Sequence, residues 1–531
     1  MEMGLGAVQN GPQEVAAANH PQIRLYSVPK VLSARPLEVN PGTWSVCTPA
    51  NAGKDGWGGF SAVGYFFGRE IHQQTKVPIG LIQSAWGGTI AEAWVSQPGL
   101  ELFPEFHPVI KQLEEEVAGA RRTYEQRVAA WYQTNDSGEK AGWQMERAAT
   151  GWTPASSANF ADIGLANWDG IVWFRNTFNL DGPSDDLILE LGMIDDADTV
   201  WVNGVQVGQT WGYDTLRRYA IPRSALRSGE NVVHVRVLDT TQGGGLWSDP
   251  SVLRLVAGSR SVQSLAQGWQ FRKGVSFASL PAFPLRTENN PNVPTVLSNA
   301  MVAPVTPFAI RGAIWYQGES NGNRGYQYRT LLPALIADWR RMWDQGDFPF
   351  YIVQLAPWQA RVHEPRESDW AELREAQLMT ALRVPNSGIA VTTDIGDADD
   401  IHPANKKDVG LRLARIALAK DYGRSEIVYS GPIYTGMTKS GGVIRLKFDH
   451  AKGLRGDLSG FAIAGADRKF VWANARIMGE EVWVNSPKVA DPVAVRFGWD
   501  INPASGLFNE AGLPASPFRT DDWPGLSVGR K

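Results

Sequence analysis

The sequence predicts an α/β fold: a parallel sheet with helices on both faces, interrupted by an inserted β-sandwich and followed by a C-terminal β module. Three observations predict it. Apolar strand-like runs alternate with amphipathic helical stretches over residues 60–96 and again over 308–426. Between them lie short β-rich runs separated by turns, and after residue 427 the chain turns β-rich once more. Apolar strands that alternate with helices imply a parallel sheet buried on both sides.

In chain order, FSAVGYFFGREIHQQ carries apolar residues at helical spacing, and VPIGLIQSAW is a short apolar run that ends in a glycine-rich turn. Residues 1–103 are therefore read as the first part of the α/β domain. Residues 104–154 are read as a helical connector, because Val109, Leu113, Val117 and Tyr124 recur on one side among charges. Residues 155–258 are expected to form the inserted sandwich, with GIVWFRNTFNL, DLILELGMI, ADTVWVNGVQVGQ and NVVHVRVLDT as strands. Alternation in VWFRNTF and VVHVRVL predicts half-buried antiparallel strands, and Asn203-Gly204 predicts a hairpin turn. Residues 259–426 return to strand and helix: AIRGAIWYQ, YRTLLPALIADWRRMW, FPFYIVQLA, AELREAQLMTAL, SGIAVTTDI and KKDVGLRLARIALAKDYG. Residues 427–531 are the expected terminal β domain.

Composition narrows the partners. With 51 basic against 55 acidic residues the net charge is −4, so no electrostatic argument favours nucleic acid or an anionic membrane. A neutral or small polar substrate fits better. The 22 Trp are many; most belong to packing, and the remainder offer flat apolar faces to sugar rings. A single cysteine, Cys47, leaves no internal disulfide or Cys-based metal site. No run reaches the ~18 apolar residues of a membrane span, and MEMGLGAVQNGPQE lacks the regions of a signal peptide.

Three segments fall where strands of the α/β part should end, the edge at which open parallel sheets place their sites. The first is Ser84-Ala85-Trp86-Gly87-Gly88-Thr89, followed by Glu92. Paired glycines let the backbone aim N–H groups at a ligand, as an oxyanion hole requires, although a Gly-Gly turn is more often only a tight turn. The second is Gln317-Gly318-Glu319-Ser320-Asn321, a polar cluster behind an apolar strand that either caps a loop or holds a substrate. The third is Asp399-Asp400-Ile401-His402. A carboxylate three residues before a His can bind Nδ1–H and leave Nε2 to accept a proton, or the loop can be merely acidic and solvated. Asp394, Asp397 and Asp400 are rival carboxylates at spacings less suited to that pairing.

With these segments in place the chain resembles the sialate O-acetylesterase family, carbohydrate esterases of the SGNH hydrolase superfamily. The matching stretches are PQIRLYSVPK, FSAVGYFFGREI, VPIGLIQSAWGGTIAEAWVS, RGAIWYQGESN, DDIHPANKKDVGLRLARIAL and NEAGLPASPFRTDDW. The resemblance implies a Ser-His-Asp esterase with no metal or cofactor, in which Asp399 and His402 serve a serine nucleophile. It makes the Gly87 or Gly88 N–H and the Gln317 side chain the oxyanion hole, with Ser84, Trp86, Glu92, Glu319 and Asn321 around the substrate. An acetylated sugar or glycan is the implied partner, and a periplasmic or secreted setting is expected for the full-length protein.

The resemblance also implies a Gly-Gln-Ser-Asn-Met motif that supplies the nucleophile, and Met1-Glu2-Met3 resembles the residues directly after that Ser-Asn pair. The serine is therefore expected just upstream of Met1, along with one strand and a β domain of about a hundred residues. Ser84 and Ser320 are less suitable substitutes. The 155–258 sandwich is similar to the sugar-binding domains of family 2 glycosidases. Two other readings stay open: a sugar-binding protein without catalysis, and a glycosidase that pairs Glu92 with Glu319 at a separation of about 5 to 9.5 Å.

Overall fold

The computed structural model describes residues 1–531 apart from 40, 55–56, 118–123, 167, 184–186, 241–242, 259, 277–278, 282, 285–286, 288 and 505. It comprises two compact units, Met1–Ala120 with Thr287–Lys531, and Arg121–Arg286. Among the described residues no helix is long and apolar enough to cross a membrane.

The first unit is α/β. Strand β1 (His20–Ser27) runs parallel to β3 (Ile79–Gln83), with Ile23 opposite Ile79 and Ser27 opposite Gln83, and β2 (Trp44–Cys47) is antiparallel on the other edge of β1. Helix α1 (Ala62–Thr75) starts where the Ser61 hydroxyl accepts the Gly64 N–H at 3.2 Å and buries Val63, Tyr65, Phe66 and Ile71. A second parallel sheet joins β4 (Ala313–Trp315), β5 (Phe350–Val353) and β6 (Ser387–Ala390), and every residue of β5 and β6 is buried. Both faces are covered, which is why these strands read as apolar runs without alternation.

Three helices connect and flank these strands: α2 (Gly325–Trp343), α3 (Asp369–Arg383) and α4 (Lys406–Asp421). Helix α4 lies against α1 at Gly410, where a Cβ would come within 2.6 Å of the Phe66 Cβ and 2.9 Å of the Val63 carbonyl. Only glycine permits that approach. The strands predicted over 309–317 and 387–395 are shorter than expected, because the polar residues that follow leave the sheet to build loops. After α4 come two antiparallel four-stranded sheets. One orders Ile433–Ser440, Val443–Asp449, Glu481–Asn485 and Asn474–Met478; the other orders Val471–Trp472, Phe461–Ala464, Ala494–Phe497 and Phe518–Arg519. Ile444, Leu446, Phe461, Val482 and Phe497 form their shared core.

In the second unit a six-stranded antiparallel sheet is centred on Gly170–Leu180 and Gly229–Asp239, paired from Gly170 opposite Asp239 to Leu180 opposite Gly229. Asn203 (φ 51°) and Gly204 (φ 86°) make the hairpin turn that their identities predict. Strands continue beyond residue 258: Arg260–Ser264 and Gln270–Ser276 both join the sandwich sheets.

The expected half exposure of the central strands does not occur. Trp131, Tyr132, Trp152 and Trp201 cover the second face and form a core with Ile171 and Trp173. Arg236 survives burial there because its guanidinium meets Asp136 at 3.3 Å and Thr199 Oγ1 at 2.8 Å, pairs with Glu139, and lies 3.2 Å from the centre of the Tyr132 ring. Within the helical connector expected over 104–154, His107–Val117 and Tyr124–Asn135 are helical, and residues 118–123 lie outside the described residues.

Candidate active site

The loop after β3 builds one wall. Thr89 Oγ1 donates to the Trp86 carbonyl at 2.7 Å and accepts the Trp94 indole N–H at 2.9 Å, closing a turn whose Gly88 has φ +73°. Asn292 brackets this turn, taking the Ile90 N–H at 3.0 Å and donating to the Gly88 carbonyl at 3.2 Å. The Gly87 N–H points outward and donates to Glu2 Oε2 at 2.5 Å; Lys30 pairs with the other oxygen of Glu2 and sits 5.4 Å from the centre of the Trp86 ring. An exposed backbone N–H that holds a carboxylate is a donor available to an anion. Ser84 faces inward, its hydroxyl donating to the Met301 carbonyl at 2.9 Å.

Behind that wall the residues after β4 form a buried polar network. Gln317 donates through Nε2 to the Thr89 carbonyl at 3.0 Å and to Asn321 Oδ1 at 2.6 Å, and its Oε1 accepts the Tyr328 hydroxyl at 2.7 Å. Asn321, fully buried, also accepts the Ala91 N–H at 2.9 Å and donates to Glu92 Oε2 at 2.9 Å. The other oxygen of Glu92 takes Arg324 at 2.6 Å. The Gln317 amide protons are thus committed, one to the Thr89 carbonyl in the loop that carries Gly87 and Gly88 and one to Asn321. In this arrangement Gln317 braces the Gly87–Gly88 loop from behind instead of aiming a donor past it. Both oxygens of Glu92 are likewise occupied, which removes the acid-base freedom a glycosidase pair with Glu319 would need.

The loop after β6 is looser. Asp394 makes a two-pronged ion pair with Arg412, at 2.6 Å through each oxygen, and Asp397 accepts the Asp399 N–H at 3.0 Å. Asp400 Oδ1 accepts the His402 N–H at 2.7 Å and lies 3.4 Å from its Nδ1. Among the described residues the Asp399 side chain makes no hydrogen bond to His402, so the carboxylate at the imidazole here is Asp400. The His402 side chain is 52% exposed, and its ring meets the Trp57 ring edge-on at 4.9 Å between centres.

These three walls converge on residues 1–4. Glu2 reaches Gly87, as above, and the Gly4 N–H donates to the Trp57 carbonyl, directly behind the ring that abuts His402. The Met1 nitrogen is buried and lies within electrostatic reach of Lys406, Glu319 and Glu2. Ser61 anchors the Met1 carbonyl through its hydroxyl at 2.7 Å, and the Ala62 N–H bonds the Met3 carbonyl at 3.0 Å.

Sequence reasoning missed Lys406. It is buried at the start of α4 with its ammonium 5.0 Å from the centre of the Tyr316 ring, and burial brings its pKa down to about 8 despite Glu319 and Asp400. A lysine pair in a first helical turn reads as solvated; only Lys407 is, and it pairs with Glu14 at 2.9 Å. Arg324 and Trp57 were also unmarked, because each acts through a partner distant in sequence.

Residues 289–419 match the model of the carbohydrate esterase family described as sialic acid-specific acetylesterase, and residues 171–231 match a galactose-binding domain of β-galactosidases. A human sialate O-acetylesterase is 30% identical over 188 residues, covering 32% of this chain and 35% of that protein. The mouse protein of the same name is 29% identical over 255 residues, covering 42% and 47%. The chain thus spans less than half the length of these relatives. The crystal structure of a carbohydrate acetylesterase from Xanthomonas citri superposes over 98% of this chain and 78% of its own, with a TM-score of 0.60 and 29% identity. The family-model match over 289–419, the curated relatives and the shared fold agree in their direction: the chain is similar to the sialate O-acetylesterases and to a carbohydrate acetylesterase.

Proposed function

We propose that the protein serves as a carbohydrate O-acetylesterase working by a Ser-His-Asp mechanism, with the serine supplied immediately before Met1. The observation that carries this reading is the convergence of the Gly87 N–H, Glu319, Lys406 and the Trp57–His402 pair on Met1–Gly4. A hydroxyl placed next to Met1 would stand between an anion-accepting N–H and an imidazole.

In this mechanism the serine oxygen attacks the acetyl carbonyl and His402 takes its proton. The tetrahedral oxyanion is held by the Gly87 N–H, a kind of donor worth about a hundred- to a thousand-fold in rate. The C–O bond to the sugar then breaks, and His402 returns the proton to the departing sugar oxygen. Water deacylates the acetyl-serine by the same base. Asp399 is the carboxylate assigned by the Asp-x-x-His motif; a second reading gives the role to Asp400, favoured by its 3.4 Å approach to Nδ1.

Hydrolysis of 4-nitrophenyl acetate and of an acetylated sugar by a form extended into the upstream reading frame tests the proposal. His402→Ala should lower kcat at least about a thousandfold. Whichever of Asp399→Asn and Asp400→Asn causes the larger fall identifies the carboxylate. Undiminished turnover in His402→Ala would sink the mechanism, and full activity without the extension, lost in Ser84→Ala, would move the nucleophile to Ser84.

A further inference from the structure

A cleft of about 180 Å³ opens in the C-terminal β part, between the strands carrying Ala462, Trp472 and Arg496 and the segment 365–367. A smaller lobe of about 60 Å³ continues from it and shares Gly460, Trp472 and Trp499. The combined space suits one sugar ring, being below the size of pockets for larger ligands.

Its chemistry is unusual for a surface depression. Trp472 is 43% exposed, and its indole N–H is pinned to the His363 carbonyl at 2.7 Å, so the ring is held in place with area open to solvent. Trp499 is only 7% exposed, yet its indole N–H has no acceptor among the described residues. A buried donor left unpaired in the wall of a cleft implies an acceptor that arrives with a ligand.

Arg496 forms the floor. Its Nε and one terminal nitrogen meet the Asp521 carboxylate at 2.9 and 3.0 Å, the other meets Glu367 at 2.7 Å, and the guanidinium lies 4.2 Å from the centre of the Phe470 ring. It is fully engaged and therefore rigid. Arg468 differs: it is exposed at the rim, 5.3 Å from the centre of the Trp523 ring, and makes no ion pair among the described residues. An aromatic face for the C–H side of a ring, a waiting N–H donor and a free planar guanidinium together recognise a sugar with a carboxylate. Glu367 and Asp500 in the walls oppose a doubly charged phosphate.

The cleft is also tied to the His402 loop. Asn502, in the smaller lobe, donates to the Gln359 carbonyl at 2.6 Å, and the Gln359 N–H donates to the Ala398 carbonyl at 2.9 Å. We infer that this cleft is a binding subsite for a carboxylate-bearing sugar residue, oriented by Trp472 and Trp499 and charge-matched by Arg468. The subsite lies outside the ester-cleaving machinery, and binding requires no turnover, so its failure and that of the esterase reading are separable.

Calorimetric titration of the full chain with methyl glucuronoside, N-acetylneuraminic acid and methyl glucoside tests it. At least one acid should bind about tenfold or more tightly than the neutral glucoside. Arg468→Gln should abolish that preference, and Trp472→Ala should weaken acid and neutral sugar alike. Equal binding of acid and glucoside, no binding of either acid, or acid binding unchanged in both variants would overturn the inference.

Discussion

The two halves of the candidate site are held in opposite ways. On the Gly87 side, Gln317, Asn321 and Glu92 are buried and their side-chain polar atoms are matched with partners that include Thr89, Ala91, Tyr328 and Arg324. On the other side His402 is half exposed, touched by one ring and one carboxylate among the described residues. Burial raises the penalty for any unmade hydrogen bond, so the first half has one low-energy arrangement. Solvent substitutes for lost partners in the second half, which leaves the imidazole free to change carboxylates. In the proposed mechanism the geometry of the Gly87 donor is thus set by folding, whereas that of His402 is open to adjustment when substrate arrives.

The sharpest way to break this contrast is to remove one group from each side and measure stability by denaturant unfolding. Glu92→Ala strands the partly buried Arg324 and the Asn321 amide, and should destabilise the protein by about 3–5 kcal/mol. His402→Ala should change stability by less than about 0.5 kcal/mol. Similar losses in the two variants would mean that the His402 loop is as firmly built as the network.

The sandwich unit supplies a sharper version of the same rule, a polar group buried without partners. Both ring nitrogens of His234 lack a hydrogen bond among the described residues, and burial, with Arg175 adding, brings its pKa down to about 4. An unfolded chain would protonate this histidine near pH 6.5, so the folded state binds fewer protons between the two values. Stability is therefore complete above about pH 6.5 and falls as the pH drops toward 4, by roughly 3 kcal/mol in total from this one group. His234→Leu should flatten the unfolding free energy across that interval relative to the wild type. Identical pH slopes would show that His234 is already hydrated in the folded protein.

How much of this was legible in the sequence depends on the range over which each residue acts. Strand and helix alternation and the Asn203-Gly204 turn are local, and the structure carries them where the pattern puts them. The alternation around Arg175, His234 and Arg236 suggested a wet face, since nothing local reveals that Trp131, Tyr132 and Trp152 return to cover it. At the site, the segments around Gly87, Gln317 and His402 were visible as polar or glycine-rich breaks after apolar strands. Their partners were not: Glu92 meets Arg324 across 232 residues, and Lys406 is buried because Tyr316 lies over it. Spacing favoured Asp399 for the imidazole, whereas the loop's own turn, through the Asp400 to His402 N–H bond, brings the next residue to Nδ1.

The smallest expected effect concerns Gly88, where backbone conformation and space can be separated. Its φ of +73° favours glycine, but a Cβ there would meet nothing within 4 Å. Gly88→Ala should therefore cost about 1–2 kcal/mol of backbone strain and no steric clash. Because Thr89, Asn292 and Gln317 hold the turn on three sides, strain of that size should leave its shape intact. In the extended form, kcat for acetyl ester hydrolysis should then fall less than about tenfold, since the Gly87 N–H keeps its direction. A loss of a hundredfold or more with unchanged KM would instead show that the turn relaxes, and that the network behind it does not fix the donor.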